Sequence, residues 1–64
     1  MIKENDVIIA KRDLSEDVSK GCKGAVVMVY QDPTLAYEIE FVNDTGDTLD
    51  VITVYPGDIE RVMC

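Results

Sequence analysis

Short runs of β-branched and aromatic residues recur along the whole 64-residue chain, separated by clusters of Gly, Pro, Asp and Asn. This pattern is typical of antiparallel strands rather than helices. Five such runs are present, at residues 6–10, 24–30, 35–42, 47–54 and 59–62. A chain of this length hides only about 60% of its surface on folding and has room for one core. We therefore expect residues 1–64 to form a single all-β domain of five antiparallel strands.

The connections between the runs refine this prediction. The first, residues 11–23, is long and charged, and we expect its large aliphatic residues Leu14 and Val18 to hold it against the core. The last, residues 55–58, reads Tyr-Pro-Gly-Asp and favours a tight turn or one 3₁₀ turn. A long first loop and a short 3₁₀ turn before the last strand predict an SH3-like barrel. A curled, open five-stranded sheet is the alternative.

The third run alternates between apolar and acidic residues, with Glu38 and Glu40 on one face. A three-residue loop at 44–46 keeps both faces of the following hairpin consistent, with Gly46 in the left-handed position of the turn. This register predicts three cross-strand pairs: Phe41 with Leu49, Ile39 with Val51, and Glu40 with Asp50. The second run is apolar on both faces, so we expect it to be central, with part of its second face covered by the long loop.

Charge is distributed unevenly along the chain. Residues 1–31 hold five acids and five bases, whereas residues 32–64 hold eight acids and one base, so the second half carries the whole net charge of −7. Such a field attracts cationic partners and repels phosphate backbones and anionic lipid. We therefore expect a basic protein partner and no membrane partner, and the charge disfavours nucleic acid.

The acidic residues of the predicted hairpin are the candidate partner-binding site. Outward-facing acids opposite one another cost up to about 1 kcal/mol, which a basic partner would offset. A merely solvated strand face is the alternative explanation. Met28 of the second run and Ile52 of the fourth are candidate apolar anchors for an interface. The candidate residues are Glu38, Glu40, Asp44, Asp47, Asp50, Met28 and Ile52.

The sequence offers little for catalysis. It has no histidine, and Ser15 and Ser19 lie in the charged loop without a base. Solvated carboxylates do not separate their pKa values, and no loop has the ligand spacing of a calcium site. We therefore expect no enzyme activity, no cofactor and no metal. Cys22 and Cys64 are expected to be reduced thiols, with a disulfide between them as the alternative.

Three tyrosines, Tyr30, Tyr37 and Tyr55, are expected to pack on the core with their hydroxyls at its rim. An aromatic peptide-binding groove is the alternative, although the chain lacks tryptophan. The longest apolar stretch, residues 25–30, is too short to cross a bilayer, and the N-terminal residues lack signal-peptide features. These features predict a cytoplasmic protein.

The segment at residues 20–30, Lys-Gly-Cys-Lys-Gly-Ala-Val-Val-Met-Val-Tyr, resembles the glycine-then-valine pattern of KOW-type and related SH3-like barrels. Residues 37–42 and 56–59 resemble a family of small bacterial proteins of unknown function, and the resemblance extends over residues 6–62. It implies the barrel fold and an antitoxin or immunity role. KOW-type domains that bind RNA present basic residues near the glycine loop, where this chain has only Lys20 and Lys23.

The leading hypothesis is a non-enzymatic protein-binding module, of the antitoxin or immunity type, that binds a basic partner through the acidic hairpin. Two alternatives remain open at this point. One is a structural homo-oligomer that pairs through an edge strand. The other is a KOW-like nucleic-acid-binding barrel.

Overall fold

Five strands and one 3₁₀ turn make up the fold, and the computed structural model describes residues 2–62. In chain order they are β1 (Val7–Ala10), β2 (Lys23–Tyr30), β3 (Ala36–Val42), β4 (Thr48–Val54), the 3₁₀ turn (Pro56–Asp58) and β5 (Ile59–Arg61). The predicted strands are confirmed within one or two residues at each end. Within residues 2–62, no helix is long and apolar enough to cross a bilayer.

The strands form one sheet in the order β4-β3-β2-β1-β5, and every neighbouring pair is antiparallel. Strands β4 and β5 lie at the two edges and are not paired with each other, so the sheet is open. The 3₁₀ turn nevertheless brings the end of β4 close to the start of β5, so residues of both edges, Val54 and Ile59, join one core. The all-β fold with five antiparallel strands is therefore confirmed, as an open sheet.

The core is a single apolar cluster on one side of the sheet. Phe41 and Ile39 of β3 are fully buried at its centre. Val18, from the long loop between β1 and β2, is also fully buried, and Leu14 packs against the cluster. The predicted role of these two residues in holding the loop is therefore confirmed. The buried members are Ile8, Ala10, Val18, Val26, Tyr37, Ile39, Phe41, Val54 and Ile59.

Strand β2 is central, as expected, but its second face is not covered by the long loop. Val26 pairs with Ile39 and Met28 pairs with Glu38, so Val27 is an extra residue that forms a β-bulge. The bulge reverses the side on which alternate residues lie. Alternate residues therefore face the core at even-numbered positions before the bulge and at odd-numbered positions after it, so apolar residues occur throughout the run. Val27 and Met28 remain exposed.

A second bulge in β4 overturns the predicted hairpin register. The three-residue turn at 44–46 is confirmed, and Gly46 has the expected positive φ of 89°. Beyond it, Val42 pairs with Thr48 but Phe41 pairs with Asp50, which leaves Leu49 as an extra residue. The observed pairs are Phe41 with Asp50, Glu40 with Val51, and Ile39 with Ile52. The three predicted pairs are therefore wrong by one residue, and Ile52 rather than Val51 faces the core.

Asp58, in the 3₁₀ turn, ties the long loop to the end of the sheet. One carboxylate oxygen, Oδ2, accepts a hydrogen bond from the backbone N–H of Tyr55 at 3.0 Å. The other, Oδ1, accepts two from the Arg12 guanidinium, at 2.9 Å from Nε and 2.6 Å from Nη2. The backbone hydrogen bond and then the guanidinium lower the pKa of Asp58, because both stabilise its charged form.

The lowered pKa of Asp58 predicts a pH-dependent contribution to stability. The contribution is fully present above the carboxyl's unfolded pKa and is lost as pH falls through the lower, folded pKa. We expect the Asp58→Asn variant to be about 1 kcal/mol less stable than wild type at pH 7, since Arg12 is largely exposed and screened. In urea unfolding, this difference should shrink steadily below about pH 5. A difference that stays constant down to pH 3 would contradict the assignment.

Candidate functional site

The side of β2, β3 and β4 that faces away from the core forms an open surface, which we call the outer face. Cross-strand pairing arranges it in rows that run from β2 through β3 to β4. The rows, starting next to the 44–46 turn, are Lys23–Val42–Thr48, Ala25–Glu40–Val51, Met28–Glu38–Thr53 and Tyr30–Ala36. Val7 of β1 extends the second row beside Ala25.

Large apolar side chains are exposed on both flanks of the outer face. Met28 on β2 is 43% exposed and Val51 on β4 is 49% exposed. Val7, at the margin, is also exposed. Single exposed apolar residues are common on soluble proteins, but here several share one continuous face. This arrangement is typical of an interaction surface.

Two carboxylates lie along the middle of the outer face. Glu38 and Glu40 are separated by one residue on β3, so both side chains leave the same side of the strand. Within residues 2–62, neither forms a salt bridge with a lysine or arginine. Glu40 accepts a hydrogen bond from the hydroxyl of Thr48. The centre of the face is therefore negatively charged and flanked by apolar groups.

The remaining predicted acids are distributed differently from the expectation. Asp44 is exposed in the turn, and Asp47 accepts a hydrogen bond from the Thr45 hydroxyl at 3.2 Å. Asp50 pairs with Phe41 and so belongs to the opposite side of the sheet from Glu40. The structure therefore brings Glu38 and Glu40 together, places Asp44 and Asp47 at one end of the hairpin, and separates Asp50 from them.

The two predicted apolar anchors are also separated. Met28 lies on the outer face next to Glu38. Ile52 lies opposite Ile39, is half-buried and packs against the core cluster. The exposed apolar residue of β4 is instead Val51, which the predicted register places inward. The β4 bulge is the cause, because one extra residue exchanges the two sides of the strand.

Asp50 lies on β4, an edge strand of the sheet, where it changes the hydrogen bonding of the free edge. Bonded and non-bonded residue pairs alternate along an antiparallel pair of strands. The Asn43 N–H donates to the Asp47 carbonyl, so every second residue before Asn43 on β3 forms a hydrogen-bonded pair with β4. Val51 falls between these bonded pairs, and its N–H points to the edge. The Asp50 carboxylate accepts that N–H at 2.9 Å. The bulge and this internal hydrogen bond both make the β4 edge a poor template for another strand.

A cleft of about 510 Å³ lies between the long loop and the hairpin turn, with Lys20 and Lys23 on one wall and Asp44 on the other. Cys22 lines it, with its Sγ 3.8 Å from the Ser19 hydroxyl. The predicted reduced thiols of Cys22 and Cys64, and the alternative disulfide between them, both involve Cys64, which lies outside the described residues. Within the part of the chain that the structure describes, no three acidic or cysteine side chains gather into a possible metal site.

The tyrosines divide into two groups. Tyr37 is buried in the core, as expected. Tyr30 and Tyr55 are 38% and 53% exposed, at the end of the outer face that is remote from the 44–46 turn. The sequence alone groups all three as core residues, because the residues before Tyr30 and Tyr55 do not alternate strictly between apolar and polar and so do not reveal which side each tyrosine faces.

Comparison with known proteins identifies one family. The family described as "Domain of unknown function (DUF4926)" matches residues 4–61, which is nearly the whole chain. The resemblance to a family of unknown function is thereby confirmed. No curated protein and no solved structure is significantly similar to the chain.

Proposed function

We propose that this chain, which belongs to the DUF4926 family, is a non-enzymatic protein-binding module that binds a basic partner through its outer face. The observation that carries the proposal is the pairing of Glu38 with exposed Met28, and of Glu40 with exposed Val51, on one side of the sheet. Protein interfaces combine apolar anchors with charged groups that orient the partner.

Electrostatics support a basic partner. The chain carries a net charge of −7, and the carboxylates of the outer face form no salt bridge with a lysine or arginine in residues 2–62. A cationic partner would therefore be attracted at long range and would meet two carboxylates that no described lysine or arginine neutralises. The same field opposes a nucleic acid, whose phosphates would meet a mainly acidic surface.

The edges of the sheet argue against the homo-oligomer alternative. Strand β4 has the Leu49 bulge and the internal hydrogen bond from Val51 to Asp50. Strand β5 has three residues and offers only a short edge. Each device is one by which proteins prevent strand addition. We infer that the face, rather than an edge, is the binding surface.

Three finer assignments belong to this proposal. The strand order, the long loop after β1 and the 3₁₀ turn before β5 support an SH3-like barrel in an open form. The family resemblance implies an antitoxin or immunity role, in which an acidic surface would cover a basic toxin. A cytoplasmic location is the corresponding expectation.

The proposal is tested by capturing partners from source cells and measuring affinities with the purified candidate. Three forms of the immobilised protein are compared: wild type, Glu38→Lys/Glu40→Lys, and Glu16→Lys/Asp17→Lys. The last is a matched control, because it makes the same charge change on exposed residues of the long loop. We expect a basic protein that binds wild type and control alike, and binds the outer-face variant at least about tenfold more weakly.

Salt provides the second readout. Binding through these carboxylates should weaken as ionic strength rises from 50 to about 300 mM, because the Debye length shortens. A captured protein that binds all three forms equally, or that is indifferent to salt, would contradict the proposal.

A further inference from the structure

Tyr30 and Tyr55 lie on either side of Ala36, at the end of the outer face remote from the 44–46 turn. Tyr30 is the cross-strand partner of Ala36. On the other side, Val54 pairs with Tyr37, and the next residue, Tyr55, continues in extended conformation with φ −113° and ψ 163°. Successive side chains of an extended chain point to opposite faces. Because Val54 points into the core, the side chain of Tyr55 points to the outer face.

The spacing of the two tyrosines suits a flat group between them. Tyr30 lies on β2 and Tyr55 directly follows β4, and these two strands flank β3, so the backbones of the two tyrosines are about 10 Å apart. Stacked aromatic groups have centroids about 4.5–7 Å apart, so a flat group midway between two rings about 10 Å apart can stack on both of them. Ala36, between them, is the smallest residue of the β3 outer face and is 7% exposed. Its low exposure shows that neighbouring side chains cover it, so it forms an apolar floor that a ligand reaches when those side chains turn aside.

A carboxylate adjoins this pair of rings. Glu38 pairs with Met28 and Thr53, which are two residues before Tyr30 and Tyr55 respectively. Diagonal neighbours of this kind lie about 7–8 Å apart, within the reach of long side chains. Glu38 forms no salt bridge with a described lysine or arginine. A carboxylate of this kind beside two aromatic faces attracts a cation.

We propose that Tyr30, Tyr55 and Glu38 form a receptor for an arginine side chain of the partner. The guanidinium stacks on the tyrosine faces above Ala36 and donates hydrogen bonds to the Glu38 carboxylate. Arginine fits better than lysine because its guanidinium is flat, delocalised and able to stack while it donates in its own plane. This proposal rests on the proposed function, since it names the group of the basic partner that the outer face recognises.

The test uses a defined probe rather than the unidentified partner. Nα-acetyl-arginine methylamide is titrated into ¹⁵N-labelled protein at millimolar concentrations, with the citrulline analogue as a ligand of nearly the same shape and no charge. We expect arginine to shift the amide resonances of Tyr30, Ala36, Glu38 and Tyr55, and citrulline to bind at least about fivefold more weakly.

Variants localise the effect. Tyr30→Leu and Tyr55→Leu should each weaken binding of the arginine probe about three- to fivefold, since each removes one cation–π contact. Val27→Ala is the control, because Val27 is exposed in the β2 bulge and belongs neither to the receptor nor to the rows of the outer face; this variant should bind as wild type does. An unchanged pattern of dispersed amide resonances shows that each variant is folded.

Several outcomes would overturn the receptor. These are equal shifts from arginine and citrulline, shifts scattered over all the carboxylates, or tyrosine variants that bind as tightly as wild type. Its failure is distinguishable from failure of the proposed function. Loss of capture by Glu38→Lys/Glu40→Lys together with an inert arginine probe would reject the receptor alone. Arginine binding at the tyrosines together with capture indifferent to Glu38 and Glu40 would reject the function alone.

Discussion

Replacing Gly24 with alanine is expected to destabilise the protein by about 2 kcal/mol and to lower its melting temperature by roughly 8–16 °C. Gly24 lies in β2, buried opposite Phe41. A Cβ atom built on it would lie 2.7 Å from Ile39 Cγ2, 2.9 Å from the Glu40 carbonyl oxygen and 3.0 Å from Phe41 Cδ1. The carbonyl belongs to the paired strand, so relieving the contact requires the ladder to shift.

Gly57→Ala is the matched control for this substitution. Gly57 lies in the exposed 3₁₀ turn, has no heavy atom within 4 Å of the position that a Cβ would occupy, and does not have a positive φ. Alanine there should change stability by less than about 1 kcal/mol, and in the stabilising direction, because it restricts the unfolded chain. Thermal unfolding followed by circular dichroism measures both variants. Equal melting temperatures for the two would show that the close approach at Gly24 does not constrain the fold.

The second large effect concerns the two neighbouring residues whose sides the β4 bulge exchanges. Ile52→Lys should destabilise the protein by about 2–3 kcal/mol, since it replaces a side chain that packs against the core with a charged one. Val51→Lys should change stability by no more than about 0.5 kcal/mol. Its ammonium would lie in solvent, opposite Glu40, where an unlike charge is favourable.

These two variants serve as controls for each other, because both add one positive charge to the same strand. Urea unfolding at pH 7 gives the two free energies. The register without a bulge, which places Val51 inward and Ile52 outward, predicts the reverse order. A Val51→Lys variant less stable than Ile52→Lys would therefore reject the observed pairing.

Much of the fold follows from local chemistry that the sequence displays openly. The strands are recognisable because β-branched runs end at Gly, Pro, Asp and Asn, which favour turns. The 44–46 turn is recognisable because its left-handed position needs a residue such as Gly46. The role of Val18 is recognisable because a large aliphatic residue in an otherwise charged loop is stabilised by packing on the core.

The bulges could not be predicted in this way. In β4, Leu49, Val51, Ile52 and Val54 are all apolar, so a register with the bulge and one without it both bury apolar residues. The choice depends on how β4 twists across β3, which is a property of the assembled sheet. In β2, the continuous apolar run conceals the change of phase at Val27 for the same reason.

The candidate site shows the same division. The sequence by itself determined that the chain is acidic in its second half, that Glu38 and Glu40 share one face of β3, and that the fold is all-β. Only the tertiary structure decided which groups lie beside those carboxylates: Met28, Val51 and the two exposed tyrosines rather than Asp50 and Ile52. The physical reason is that alternation along one strand is local, whereas pairing between strands changes by one residue at each bulge and thereby exchanges the two sides of the sheet.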